Sequence, residues 1–216
     1  MREQVKEQVK AARRARREEQ ILDTAVQLFA EHGYSDTDTQ LLAEKLHVGK
    51  GTIYRYFASK RELFLAAADR VMRSLRQCVD ASIEDIEEPF ERIAVAIRAY
   101  LTFFAEHPEF VELLMQERAQ FKDRKKPTYF EHREVNVQRW RALYQSLIVA
   151  GRIRDVPVER ILNTISNLMY GTMCTNYFTG QRHSVETQAR DILDIVFYGI
   201  LSDSERQLRA ASKVDL

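Results

Sequence analysis

The sequence predicts an all-α protein built as a small N-terminal helix-turn-helix unit followed by a longer helical unit. Three observations support this. Gly and Pro are scarce, seven and four in 216 residues, and good helix formers dominate. Apolar residues recur at three and four through almost every segment. Residues 37–64 show two short helical patterns separated by a tight turn, followed by a third helix start.

Residues 1–17 contain seven Lys/Arg and present almost no apolar face. They cannot bury much surface alone, so they are expected to be a basic extension without fixed structure in the absence of DNA. Two roles stay open for it: a solvated lead-in to the first helix, or an arm in which Arg13, Arg14, Arg16 and Arg17 reach phosphates or a minor groove.

From residue 18 to 32, Ile21, Leu22, Ala25, Leu28 and Phe29 form one buried stripe, and Gly33 suits the left-handed position that ends a helix. Ser35, Asp36, Thr37 and Asp38 offer caps for a second helix over residues 38–46. The turn His47-Val48-Gly49 follows, then a helix over residues 50–57 with Ile53 and Phe57 facing inward. This leaves Lys50, Gly51, Thr52, Tyr54 and Arg55 outward, and their donors suit phosphates and base edges. At 1.5 Å per residue the helix spans roughly 12 Å, enough for one major groove and a few base pairs. Ser59 and Glu62 form a capping box that opens a long helix to about residue 83.

The run Lys50-Gly51-Thr52-Ile53-Tyr54-Arg55-Tyr56-Phe57, followed by Ser59-Lys60-Arg61-Glu62-Leu63-Phe64, resembles the signature of the tetracycline-repressor (TetR) family of bacterial regulators. The likeness continues upstream through Ala25-Val26-Gln27-Leu28-Phe29-Ala30-Glu31-His32-Gly33-Tyr34 and covers roughly residues 17–65. It implies a DNA-binding unit at residues 18–64 and an effector-binding and dimerisation unit at residues 65–216. The expected DNA-contacting set is Thr37, Thr39, Gln40, Lys50, Gly51, Thr52, Tyr54, Arg55, Tyr56 and Lys60, with Lys60 on a phosphate by resemblance. The chain departs from the family pattern in three places. Thr39 stands at a position that is usually apolar, His47 where a turn glycine is common, and Gly49 where a small hydroxyl residue usually caps.

Beyond residue 88, helices are expected over residues 88–106, 108–120, 127–150, 157–179 and 185–201, with a polar surface loop at 122–127 and a frayed tail from Ser202. The last two helices are apolar on more than one face. Burial of Ile161, Ile165, Leu168, Ile192, Ile195 and Val196 against a second copy would cover the surplus. The family's dimerisation through its last two helices implies the same arrangement.

Phe104, Met115, Trp140, Tyr144, Asn167, Tyr170 and Cys174 belong to an aromatic and methionine population suited to a pocket between helices. Trp140, Tyr144, Asn167 and Asn176 are its candidate polar handles. Taken singly, each of these residues is more readily a plain core residue than a pocket residue.

The net charge is +1. Residues 1–61 hold twelve Lys/Arg against nine Asp/Glu, leaving 33 − 12 = 21 against 32 − 9 = 23 elsewhere. An excess of three does not by itself establish nucleic-acid binding, so the placement of the cations carries that argument. Cys78 and Cys174 lie far apart in apolar segments and are expected as buried thiols of a cytoplasmic protein.

No stretch reaches the ~20 apolar residues a membrane span requires. The five histidines fall in separate elements with no metal-ligand, phosphate-loop or nucleophile pattern, so neither an enzyme nor a metal or other cofactor is expected. The functional expectation is a homodimeric regulator, most simply a repressor, which binds a palindromic double-stranded DNA operator and is released by a small apolar or amphipathic ligand. An activator on the same fold, or a helical adaptor working through protein contacts, is the alternative.

Overall fold

The computed structural model describes residues 2–180 and 183–199. The described residues form α-helices joined by short loops: α1 (Arg2–Asp36), α2 (Thr39–Lys45), α3 (Lys50–Tyr56), α4 (Lys60–Ser82), α5 (Pro89–Glu106), α6 (Pro108–Gln120), α7 (Thr128–Val149), α8 (Val158–Thr179) and α9 (Val185–Tyr198). The expected end of the last helix at residue 201 and the tail from Ser202 lie outside the described residues.

The first correction concerns residues 2–17, which are helical and continuous with α1. The cause is local. Starting a helix is the costly step, and here the packed segment at Ile21 and Leu22 supplies the nucleus, so each added Ala, Arg, Lys, Glu or Gln only extends it. The regular helix ends at Gly33, whose φ of 79° lies where a side chain is costly.

α1 to α3 close around Ile21, Leu22, Leu28, Phe29, Leu42, Ile53 and Phe57, all buried. α4 then leaves this unit and runs through the expected boundary at residues 64/65, so both units share one core. Phe121, at the end of α6, stands edge-on to Tyr34 and Phe64 with ring centroids 5.0 and 5.3 Å apart, and Phe64 meets Phe29 at 4.9 Å. Arg61 lies over Phe121 and pairs with Asp123. Edge-to-face packing of this kind adds to area burial and fixes orientation. It seats the reading unit on the second unit.

Glu117 of α6 is 1% exposed. Its carboxylate accepts from the Thr128 amide at 2.9 and 3.1 Å and from the Thr128 hydroxyl at 3.0 Å, and pairs with Arg124 at 2.8 Å. It therefore satisfies first-turn donors of α7 from another helix and braces the loop at residues 121–127. Burial raises its pKa, opposed by Thr128 and Arg124.

On α8 and α9 the structure corrects part of the expected pairing surface. Ile165 and Ile192 are buried within the protomer because they share a stripe with Leu162, Met173 and Ala189, and so they face the core. Leu168 and Ile195 are exposed, joined by Phe178 and Tyr198, while Ile161 and Val196 are half-buried.

Candidate nucleic-acid interface and internal cavity

The turn between α2 and α3 follows from two backbone bonds and one cap. The Val48 amide donates to the Ala43 carbonyl at 2.9 Å and the His47 amide to Glu44 at 3.0 Å, the paired pattern that closes a helix around a left-handed residue. That residue is His47, with φ 52°. The strain expected of a histidine at this position is present. Gly49 caps α3 through its carbonyl alone, with no side-chain bond.

At the start of α2, Asp38 accepts from the Gln40 amide at 2.8 Å. The same oxygen holds the Lys50 ammonium at 2.9 Å. The Gln40 bond first, and then Lys50, hold the Asp38 carboxyl below its ordinary range, while Asp38 raises Lys50. Gln40 is exposed and its amide bonds Glu44.

Thr37 and Thr39, expected at DNA, are buried. The Thr37 hydroxyl lies 2.6 Å from the Gly33 carbonyl oxygen and closes the end of α1. The Thr39 hydroxyl lies 3.1 Å from that of Tyr54. Thr39 thus replaces an apolar contact with a bond that sets the rotamer of an exposed ring on α3.

Gly51 and Arg55 are exposed, and Thr52 and Tyr56 are half-exposed on the same helix. A methyl group added at Gly51 would meet nothing within 4 Å, so in the free protein its face is open. The Arg14 and Arg55 guanidinium groups stand 5.8 and 5.7 Å from the Tyr56 ring centroid. The basic extension therefore runs beside the end of α3, a placement that sequence periodicity alone does not give.

Lys60, at the first turn of α4, donates to the Ser35 carbonyl at 3.0 Å and sits over Tyr34. Ser59 caps Glu62 as expected. The return bond of Glu62 goes to the Ala58 amide at 2.9 Å, one residue earlier than the simple capping box implies.

Between α4, α5, α7 and α8 lies a cavity of about 140 Å³. Its inner wall is apolar, with Met72, Leu75, Ile97, Leu162 and Met169 among its residues. Trp140 and Tyr144 line it as expected. The other candidates do not. Phe104 faces a separate recess with Met173 and Tyr177, while Met115, Tyr170 and Cys174 are half-buried and Asn167 is exposed. Asn176 is taken up by a reciprocal amide pair with Gln188 at 2.9 and 2.8 Å. Cys78 and Cys174 are free thiols, and burial raises that of Cys174.

Arg76, Asp80, Arg133 and Arg139, none of them among the expected pocket residues, carry the cavity's charge. The spacing of Arg133, Val137, Trp140 and Tyr144 at four, three and four contained this face. Among the described residues no helix is long and apolar enough to cross a membrane.

Residues 21–67 match the family model described as bacterial regulatory proteins, tetR family, and residues 86–200, more than half of the chain, match the tetracyclin repressor-like C-terminal domain. The chain belongs to the TetR family. Among its TetR-like relatives, the uncharacterized HTH-type transcriptional regulator YhgD of Bacillus subtilis is 31% identical over 100 residues, 46% of this chain and 52% of that protein. The regulator HbdR of Aromatoleum sp. is 33% identical over 84 residues, 39% of this chain and 37% of that protein. The chain thus spans about half of the first relative's length and less of the second's. The transcriptional repressor NicS of Pseudomonas putida is 24% identical over 189 residues, with 83% of each chain covered. The crystal structure of a transcriptional regulator FadR from Bacillus subtilis, in complex with stearoyl-CoA, superposes with a TM-score of 0.72 at 20% identity, covering 84% of this chain and 98% of that one. It has the same fold.

Proposed function

We propose that this TetR-family chain is a homodimeric, sequence-specific DNA-binding regulator that represses transcription from a palindromic operator. A small apolar or amphipathic ligand in the cavity between α4, α5, α7 and α8 releases it. The observation that carries this reading is the double duty of α4. The helix starts at Lys60, directly beyond α3, and from Met72 to Asp80 it forms one wall of the cavity. About 18 Å of helix separates the two places at 1.5 Å per residue. A ligand that prefers one position of this wall shifts the position of α3 by the same differential affinity.

Lys50, Gly51, Thr52, Tyr54 and Arg55 meet DNA on this reading, Lys60 and the extension meet phosphates, and Thr37 and Thr39 hold the reading helix in place. One α3 reads only a few base pairs. Two copies spaced one helical turn, about 34–36 Å, supply the specificity. The exposed Leu168, Phe178, Ile195 and Tyr198 on α8 and α9 are the surface that a second copy covers. Cytoplasmic placement and the absence of catalysis fit this role.

Selection of the full chain against a randomised duplex pool at physiological salt tests the proposal. Recovery of a two-fold-related sequence supports it. Recovery of no sequence above background would overturn it.

A further inference from the structure

The cavity's charged lining residues are three cations and one anion: Arg76, Arg133, Arg139 and Asp80. Arg139 pairs with Asp80, and Arg76 approaches the other oxygen of the same carboxylate at 3.6 Å. One carboxylate therefore serves two guanidinium groups, and the rim keeps an excess of two positive charges. Arg133 has no carboxylate within 4.0 Å among the described residues. Its partners are the Asn163 side-chain oxygen, at 3.4 Å, and the Phe130 ring.

Deeper in, Tyr100 and Tyr129 satisfy each other, hydroxyl to hydroxyl at 2.8 Å. Tyr144 does not share this arrangement. It is 3% exposed and lines the cavity, and its hydroxyl bonds no described residue. Its hydroxyl is therefore a donor left open at the cavity wall, available to an acceptor on a ligand.

Resting on the effector reading above, we infer that the cavity takes an anionic amphiphile: the rim arginines, Arg133 foremost, bind its carboxylate or phosphate, the inner wall takes its chain, and Tyr144 donates to an oxygen of the ligand. The rim selects the charge, because a neutral head leaves the guanidinium excess unmatched. The inner wall admits chains by area and so discriminates poorly among them.

The chain's single tryptophan, Trp140, lines this cavity, so its fluorescence reports occupancy without DNA. Hexanoate, hexyl phosphate and hexanol, each kept below its micelle concentration, are titrated into the full chain. Both anions should bind at least ~10-fold more tightly than the alcohol, the order of one charge-assisted hydrogen bond. Arg133→Gln should lower anion affinity about 10-fold and leave the alcohol unchanged. Tyr144→Phe should weaken the anions while leaving the melting temperature of the free protein where it was, because its hydroxyl bonds nothing there. Preference for one anion over the other identifies the head group. Equal affinity for all three probes, or an Arg133→Gln variant that weakens the alcohol as much as the anions, would overturn the inference. Anion binding that leaves operator affinity unchanged would keep the site and sink the effector role instead.

Discussion

Lys50 reaches across the turn and rests its ammonium 2.9 Å from the Asp38 carboxylate that caps α2. A residue proposed above to meet DNA is thus held by an anion in the free protein. Asp38 is itself exposed and so sets a negative charge beside the proposed DNA contact. Asp38→Asn keeps a competent cap, since Asn and Asp cap about equally, and removes the charge. We expect the thermal midpoint to hold within a degree or two, with binding to unrelated duplexes several-fold tighter and discrimination for the selected operator reduced. Affinities for specific and random duplexes across a salt series check this; unchanged discrimination would refute the role given to Asp38. The carboxyl pKa is lowered, so the Asp38 contribution is present above the ordinary value near 3.8 and fades as pH falls through the depressed one. Raising salt should weaken it, because both groups are exposed.

Gly51 separates stability from recognition. Nothing lies within 4 Å of a methyl group added there, and Ala in a helix is favoured over Gly by roughly 0.5–1 kcal/mol. Gly51→Ala should therefore raise the melting temperature by a few degrees while lowering operator affinity at least ~10-fold, since on the proposed reading the methyl occupies the space through which the backbone approaches DNA. A variant that is both more stable and an unimpaired binder would remove Gly51 from the interface.

His47 makes the opposite trade at the other end of the turn. A non-glycine residue in the left-handed region costs on the order of 1 kcal/mol, partly offset by the greater freedom of glycine in the unfolded chain. His47→Gly should stabilise the protein by about 0.5 kcal/mol in denaturant unfolding and leave duplex affinity within twofold. Loss of stability would mean that the ring holds a contact worth more than the backbone strain.

These positions also show how far the sequence carries. The departures at Thr39, His47 and Gly49 were visible in a single chain, because cap and turn chemistry is local. The strained φ at His47 and the bare cap at Gly49 follow from neighbours within five residues. The helix boundaries were legible for the same reason, since Pro89, Pro108 and Gly151 mark their own ends. The cavity was not. Trp140 and Tyr144 stood out as large side chains on one face of α7, but Arg76 and Asp80 come from α4, and nothing in the spacing of one helix states which face of another it meets. Ile165 and Ile192 were assigned to a partner surface for that reason, although the protomer's own core takes them. Residues 2–17 depart from expectation for a different reason: the extension lacks an apolar face, yet it inherits a nucleus from the helix it joins.

Glu117 is a buried carboxylate whose pKa is raised mainly by desolvation. The folded state therefore binds a proton more readily than the unfolded state, so stability falls as pH rises from the ordinary value near 4.5 through the raised folded one, and is level above it. Glu117→Gln should abolish that slope. It should also cost about 1–3 kcal/mol near neutral pH, because Arg124 loses one of its two carboxylates and Thr128 a charged acceptor. Denaturation midpoints of both proteins between pH 4.5 and 7.5 check this. A slope that persists in the variant would assign the titration to another group.

The basic extension supplies the last test. Residues 2–17 carry seven cations against Glu3 and Glu7, run about 24 Å as helix at 1.5 Å per residue, and bring Arg14 over the Tyr56 ring of α3. A helix with this charge beside the reading helix lies within reach of the same duplex. Each phosphate it neutralises steepens the dependence of log affinity on log salt by about 0.9. Removal of residues 2–17 should thus flatten that dependence by about two to four units per dimer, shorten the protected stretch of operator, and leave the preferred sequence unchanged, because phosphate contacts carry no base information. The stripe at Ile21 and Leu22 remains, so α1 still forms. An unaltered salt dependence in a folded truncated protein would return the extension to a solvated lead-in, and an altered preferred sequence would show that it reads a groove as well as the backbone.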